Sequence, residues 1–127
     1  MRLFVALVAV LAGVVSSAGF GQRTPTRGER EALTATVVTY VDTAADGCCV
    51  RGLRAKVIAM RLSTISPSWA VVTISARYSS GKPAQGAALL MFFAGSAWTV
   101  KDLGSILDGC GVPTKVRKDL QLTCPSP

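Results

Sequence analysis

The chain has 127 residues, half of them hydrophobic, with 14 Lys and Arg against 7 Asp and Glu and no His. That size and apolar content describe one small packed domain and exclude a multidomain machine and a disordered chain, which needs few apolar residues and many charges. The missing histidine removes Ser-His and Cys-His pairs, the HExxH zinc site and every His-based general base at once.

At the N-terminus, Arg2 precedes an unbroken apolar run from Leu3 to Val15. The run is shorter than the ~20 residues that span a bilayer, and Ser16 and Ala18 fit the small-residue cleavage pattern. Residues 1–18 therefore read as a secretory signal peptide, with the mature chain starting at Gly19. An uncleaved signal is the competing reading and the one route to a membrane. No cysteine lies near the cleavage site, so a lipid-modified N-terminus is not expected. Loss of Arg2 leaves 13 basic against 7 acidic residues, a charge of +6. The basic positions are scattered, which favours a solvated surface over a nucleic-acid site; a cationic, cell-envelope-associated protein is the electrostatic alternative.

Export changes the meaning of Cys48, Cys49, Cys110 and Cys124, because paired thiols persist as disulfides outside the cytosol. Spacing favours Cys110 with Cys124, leaving the adjacent Cys48 and Cys49. A helix from Val112 to Leu120 would be roughly 13 Å long, while bridged Cα atoms sit about 4.4–6.8 Å apart. Gly111 and Leu122-Thr123 must then fold back. The competing arrangement bonds Cys48 and Cys49 each to one C-terminal cysteine. A zinc site lacks CxxC spacing and histidine, so no metal or cofactor is expected.

Residues 19–26 read as a flexible leader. Thr26 with Glu29 fits a capping box, and Leu33, Val37 and Val41, with Tyr40 and Ala44 beside them, predict an amphipathic helix over about 27–45. Gly47 supplies its stop. Four strands follow. Leu53–Leu62 is ended by a loop containing Pro67. Trp69–Tyr78 places Ala70, Val72, Ile74, Ala76 and Tyr78 on one face and Thr73, Ser75 and Arg77 on a face expected to see solvent. After the loop 79–83, Ala87–Phe93 is apolar on both faces, and Gly95-Ser96 turns the chain into Ala97–Leu103. Short turns predict an antiparallel meander. A strand apolar on both faces must be covered twice, by the first helix and by the C-terminal helix, a partner chain or a ligand.

The segment from Cys110 reads as a short helix with Pro113 in its first turn, Val116 and Leu120 inward, and Lys115, Arg117 and Lys118 outward. The order of a Trp-led strand at Trp69, a second at Trp98 running to Gly104, then Cys110-Gly-Val-Pro, Val116, Asp119-Leu120 and Cys124 resembles small secreted actinobacterial proteins of unknown function. The resemblance covers about residues 60–124. It implies export, a C-terminal disulfide and an α+β fold, and no catalytic residues; the Cys48-Cys49 pair is not part of the pattern.

No catalytic constellation stands out. Glu29 and Glu31 suit a helix start, Asp102 and Asp108 flank a Gly-Ser loop, Asp119 sits among basic residues, and Ser63, Ser66 and Ser68 have no base to activate them. The expected architecture is α+β: an N-terminal helix on a four-stranded antiparallel meander sheet, with a short C-terminal helix closing one end. This layering is similar to cystatin-like and nuclear-transport-factor-like folds. One domain spans 27–124, with a tail at 125–127. The expected function is a non-catalytic extracytoplasmic binding module using the uncovered sheet face or a pocket near Trp69, Met91, Phe92 and Trp98, for an apolar ligand or a second copy of the chain. A thiol/disulfide redox protein using Cys48 and Cys49 is the alternative.

Overall fold

The computed structural model describes residues 22–125; the expected signal peptide and the last two tail residues lie outside them. The element order is β1 (Gln22–Arg23), α1 (Arg27–Asp42), a 3-10 turn (Ala45–Gly47), β2 (Arg54–Ser63), β3 (Trp69–Arg77), β4 (Pro83–Ala94), β5 (Ala97–Gly104) and α2 (Thr114–Asp119). The class is α+β, and the strands form one antiparallel sheet in sequential order.

The sheet has five strands rather than the expected four. Gln22 and Arg23, read as leader, pair with Ser63 and Leu62. Two residues are too short a run to carry a strand period, and what holds them is a side-chain clamp. Arg23 Nη1 and Nη2 donate to Glu29 Oε1 and Oε2 at 2.8 and 2.7 Å, a bidentate geometry that fixes direction as well as distance. Glu29 also completes the capping box: its N–H donates to Thr26 Oγ1, and the Thr26 N–H donates to Glu29 Oε1. One carboxylate thus sets both the helix start and the edge strand.

Helix α1 buries Leu33, Val37 and Val41 against Leu62, Ala70, Val72, Ile74, Leu89, Met91 and Trp98. It ends at Asp42, earlier than expected, where Ala44 adopts a left-handed conformation with φ of 52°. Gly47 ends the following 3-10 turn instead of the helix.

The opposite sheet face carries a second core. Trp69, Val71 and Leu90 pack under Leu107, Val112, Val116 and Leu120. The C-terminal segment thus covers a face, where the sequence reading had α2 closing an end. It also buries the first half of the β3 face expected to see solvent, leaving Ser75 and Arg77 exposed. The fold-back works because α2 has only six residues and ends in a paired C-cap: Gln121, at φ 59°, donates its N–H to the Lys118 carbonyl, and the Leu122 N–H donates to the Arg117 carbonyl. The returning chain then lies on Gly109, whose N–H donates to the Thr123 carbonyl; a Cβ there would stand 2.9 Å from that oxygen. Cys110 and Cys124 meet as a result, with Cα atoms 4.6 Å apart.

Asp119 fastens this cover to the sheet. Its Oδ2 accepts from the fully buried Ser63 hydroxyl at 2.6 Å and from the Thr64 N–H at 2.9 Å. The Ser63 oxygen in turn accepts from the Ile65 and Ser66 N–H groups. Gln22 Nε2 donates to the Asp119 carbonyl, and Arg61 Nη1 donates to that of Leu120. Asp119→Ala strands a buried hydroxyl and is expected to destabilise the protein by about 2 kcal/mol. Chemical denaturation checks this, and a loss below ~0.5 kcal/mol, the range of ordinary surface substitutions, would show that the Asp119 carboxylate does not fasten the cover.

Chiefly through its hydrogen bonds to Arg23, and helped by the Thr26 N–H against an opposing effect of burial, the Glu29 carboxyl is held down to about 2. A carboxyl whose pKa is depressed by folding stabilises the fold above its unfolded value, and the contribution is lost as pH falls toward the folded one. Glu29→Gln is therefore expected to lose about 1 kcal/mol at pH 6, discounted for partial exposure, with the gap to the parent protein closing between pH 4.5 and 2. Paired urea melts across that range test it; a pH-independent gap would mean that charge is not the cause.

Candidate functional site

The four residues expected to form one binding surface are divided by the sheet. Met91 and Trp98 belong to the core beneath α1, and Met91 is fully buried. Trp69 and Phe92 belong to the opposite core, with ring centroids 4.6 Å apart. Beside Trp69 a small cavity of about 230 Å³ is lined by Leu90, Lys101, Asp102, Asp108, Gly111 and Val112. Its carboxylates already accept backbone hydrogen bonds: Asp102 Oδ2 from the Asp108 N–H and Asp108 Oδ1 from the Cys110 N–H. They shape the loop before α2. Among the described residues no cluster of His, Cys, Asp or Glu is arranged to hold a metal ion, and no helix is long and apolar enough to cross a membrane.

A larger apolar cavity, about 360 Å³, lies on the helix face beyond the end of α1. Val41 lines it from the helix, Ile74 and Ala76 from β3, Ala84 and Ala87 from β4, and Leu103 from β5. Leu53, Val50, Tyr78 and Gln85 complete the wall and mouth, and Cys48 and Cys49 form the remaining side. The sequence explains the space. The first half of β4, from Ala84 to Ala88, holds small residues except Gln85, while Leu89 to Phe93 are all large. The register of β3 and β4 shifts between Ile74 and Ala76, and Gly86 approaches β3 so closely that a Cβ would stand 2.9 Å from the Ile74 carbonyl oxygen. Small side chains under a helix that stops at Asp42 leave volume that nothing on the sheet fills.

The wall that closes it is a disulfide between adjacent residues, Cys48 and Cys49, which form a small ring with the peptide bond that joins them. It stands on a turn with three left-handed residues, Ala44, Asp46 and Gly47. Asp and Gly tolerate that region, whereas for Ala it costs of order 1 kcal/mol. Such strain concentrates at functional sites. The Cys48 sulfur lies 3.7 Å from the Tyr40 carbonyl oxygen at the end of α1; without a proton it makes a contact and not a hydrogen bond. The Tyr40 hydroxyl titrates above its ordinary value because of burial and the neighbouring Asp46 and Asp102 carboxylates.

The two disulfides, Cys48–Cys49 and Cys110–Cys124, are the pairing that spacing favoured. A pocket was expected near Trp69, Met91, Phe92 and Trp98, and this cavity is lined by none of them; the one signal for its place was the small-residue half of an otherwise bulky strand. No protein-family model, curated protein or solved structure matches the chain.

The two bonds differ in what they can do for stability. Cys110–Cys124, with a sequence separation of 14, restrains a loop whose closure is worth about 3 kcal/mol on the chain-entropy account. Cys48–Cys49, with a separation of 1, encloses no loop and stabilises little that way. Replacing Cys110 and Cys124 by Ser is expected to cost about 3 kcal/mol, and replacing Cys48 and Cys49 less than about 1 kcal/mol. Urea melts of the two double variants check the contrast; equal losses would make the adjacent pair a structural staple.

Proposed function

We propose that the protein is an extracytoplasmic binding module that takes a small apolar ligand in the cavity closed by Cys48–Cys49. The observation that carries this reading is the cavity itself: about 360 Å³ of mainly aliphatic lining on the inner face of the sheet, within the ordinary size range of small-molecule sites. The adjacent disulfide supports it, since a bond that closes no loop has its effect locally, as a rigid wall. Both disulfides suit an oxidising compartment. Export also rests on the signal-like segment 1–18 and on the resemblance of residues 60–124 to small secreted actinobacterial proteins. The layering, a sheet with a helix on its inner face, is similar to that of cystatin-like and nuclear-transport-factor-like folds, and in this reading the space over the sheet beyond the end of the helix is the binding site. No catalytic role is assigned to any residue.

Titration of the oxidised full chain with 1-decanol, followed by calorimetry, is the direct test. Saturable binding of one molecule per chain is expected. Ala87→Phe, which fills the cavity, is expected to weaken binding at least ~10-fold, about 1.4 kcal/mol, with Ala84→Leu as a milder second filler. Ile106→Ser, at an exposed position that does not line this cavity, is expected to change nothing. Binding that survives both fillers would place the ligand elsewhere. Activity that depends on reduction and reoxidation of Cys48 and Cys49, with no ligand bound, would favour the redox alternative.

A further inference from the structure

Basic residues flank Val50 and Tyr78 at the open end of the cavity, whose own lining is uncharged. Residues 47–101, which include β2, β3, β4 and most of β5, contain no Asp or Glu, but they contain Arg51, Arg54, Lys56, Arg61, Arg77, Lys82 and Lys101. Several of these gather at the end of the sheet where the cavity opens. Val50 and Tyr78, both exposed, line the mouth. Arg51 follows Val50 in a turn where a Cβ on Gly52 would meet Ser79 at 3.7 Å, which brings the turn close to the β3–β4 hairpin. Lys82 stands across the β3–β4 hairpin from Tyr78, whose N–H donates to its carbonyl at 2.9 Å. On the other face of the same sheet end, Arg54 and Arg77 are direct cross-strand partners, an arrangement of like charges that disfavours pairing. The Arg77 guanidinium donates to the Gly81 carbonyl, which keeps it at the hairpin. Arg51, Arg54, Arg77 and Lys82 are all exposed, and the ion pairs among the described residues, Arg23–Glu29 and Arg27–Glu31, involve none of them. The acids that bound this stretch, Asp46 and Asp102, both act on the Tyr40 hydroxyl.

A mainly apolar interior flanked by basic residues that make no ion pair among the described residues is complementary to a molecule that is apolar at one end and anionic at the other. We infer that the ligand is a free anionic amphiphile, with a medium-length alkyl chain or small apolar ring in the cavity and a carboxylate or phosphate head held at the rim by Arg51 and Lys82. This rests on the cavity reading above and adds the chemical class of the ligand. Arg54 and Arg77 contribute to the field that draws the anion in without touching it. A free molecule fits better than a membrane surface, because the exposed apolar groups at the rim, Val50 and Tyr78, lead into a concave, half-open space and do not spread into a flat patch.

The test compares decanoate, 1-decanol and decylammonium, which share a tail and differ in head charge, each below its micellar concentration and titrated into the oxidised full chain. Decanoate is expected to bind about 10-fold more tightly than decanol, the effect of two partly exposed charges, and decylammonium more weakly than either. Raising the salt concentration is expected to narrow the gap between decanoate and decanol. The double variant R51Q/K82Q is expected to lose about 10-fold in decanoate affinity with decanol affinity unchanged; if the double variant does not fold, the single variants and the salt series read the same quantity. Equal binding of decanoate and decanol would overturn the anionic head and leave the cavity reading intact. No binding of any of the three would overturn both. Association with phosphatidylglycerol vesicles without binding of monomeric decanoate would also overturn the inference, in favour of a lipid surface contact, and decyl phosphate binding in place of decanoate would identify phosphate as the head.

Discussion

The centre of the sheet is apolar on both faces, and the rest of the molecule is arranged to keep water from both. In β4, Leu89 and Met91 point toward α1 while Leu90 and Phe92 point the other way. Among the described residues there is one long helix, and that helix covers one face. The second face is left to a segment too short to be stable on its own, because a six-residue helix cannot recover its nucleation cost from its own hydrogen bonds. Packing of Val112, Val116 and Leu120 supplies part of its stability, and covalent and polar restraint supply the rest. The Cys110–Cys124 bond, the left-handed cap at Gln121 and the Asp119–Ser63 contact all hold the same few residues in place.

The same cover explains why the ends of the sheet differ. Where β4 is bulky, both faces are occupied and the packing is dense. In the small half, the helix has already ended and the C-terminal cover does not extend, so Ser75, Arg77, Arg54 and Lys56 are exposed on one side while the cavity opens on the other. Helix length, strand composition and cavity position are therefore one fact: α1 stops at Asp42, and the volume beyond it is bounded by the turn that follows.

Much of this was legible in the residues, and what was not has identifiable causes. The α1 start was readable because Thr26 and Glu29 make a local pair and because Leu33, Val37 and Val41 repeat at the helical period. The demand of β4 for two covers was readable from composition. The edge strand was not, since Gln22 and Arg23 are placed by an ion pair to Glu29 and not by a period. The expected binding residues were the large aromatics and a methionine, and the fold uses Trp69, Met91 and Trp98 as core, the ordinary fate of bulky apolar side chains in a small domain. The cavity draws on α1, the cysteine turn and four strand-associated segments, so it depends on tertiary placement that no local pattern reports. The acid-free stretch from 47 to 101 was visible in the sequence, but a list of basic positions looks scattered until the hairpin brings Arg77 and Lys82 to the end where Arg51 and Arg54 already lie.

The adjacent disulfide fits this picture as a device for shape. A cavity wall made from two ordinary side chains on a strained turn would move among rotamers, and a ligand would have to immobilise them on binding, at about 0.5–1.5 kcal/mol for each rotamer-rich side chain. Joining Cys48 to Cys49 removes that freedom in advance, as the proposed binding role would require, and presents apolar sulfur to an apolar space. The left-handed residues Ala44 and Asp46 are the conformational counterpart, since they turn the chain back over the end of α1. A turn whose only task was to connect a helix to a strand would need neither the strained alanine nor the bond; a turn that must hold a rigid apolar surface over small side chains benefits from both.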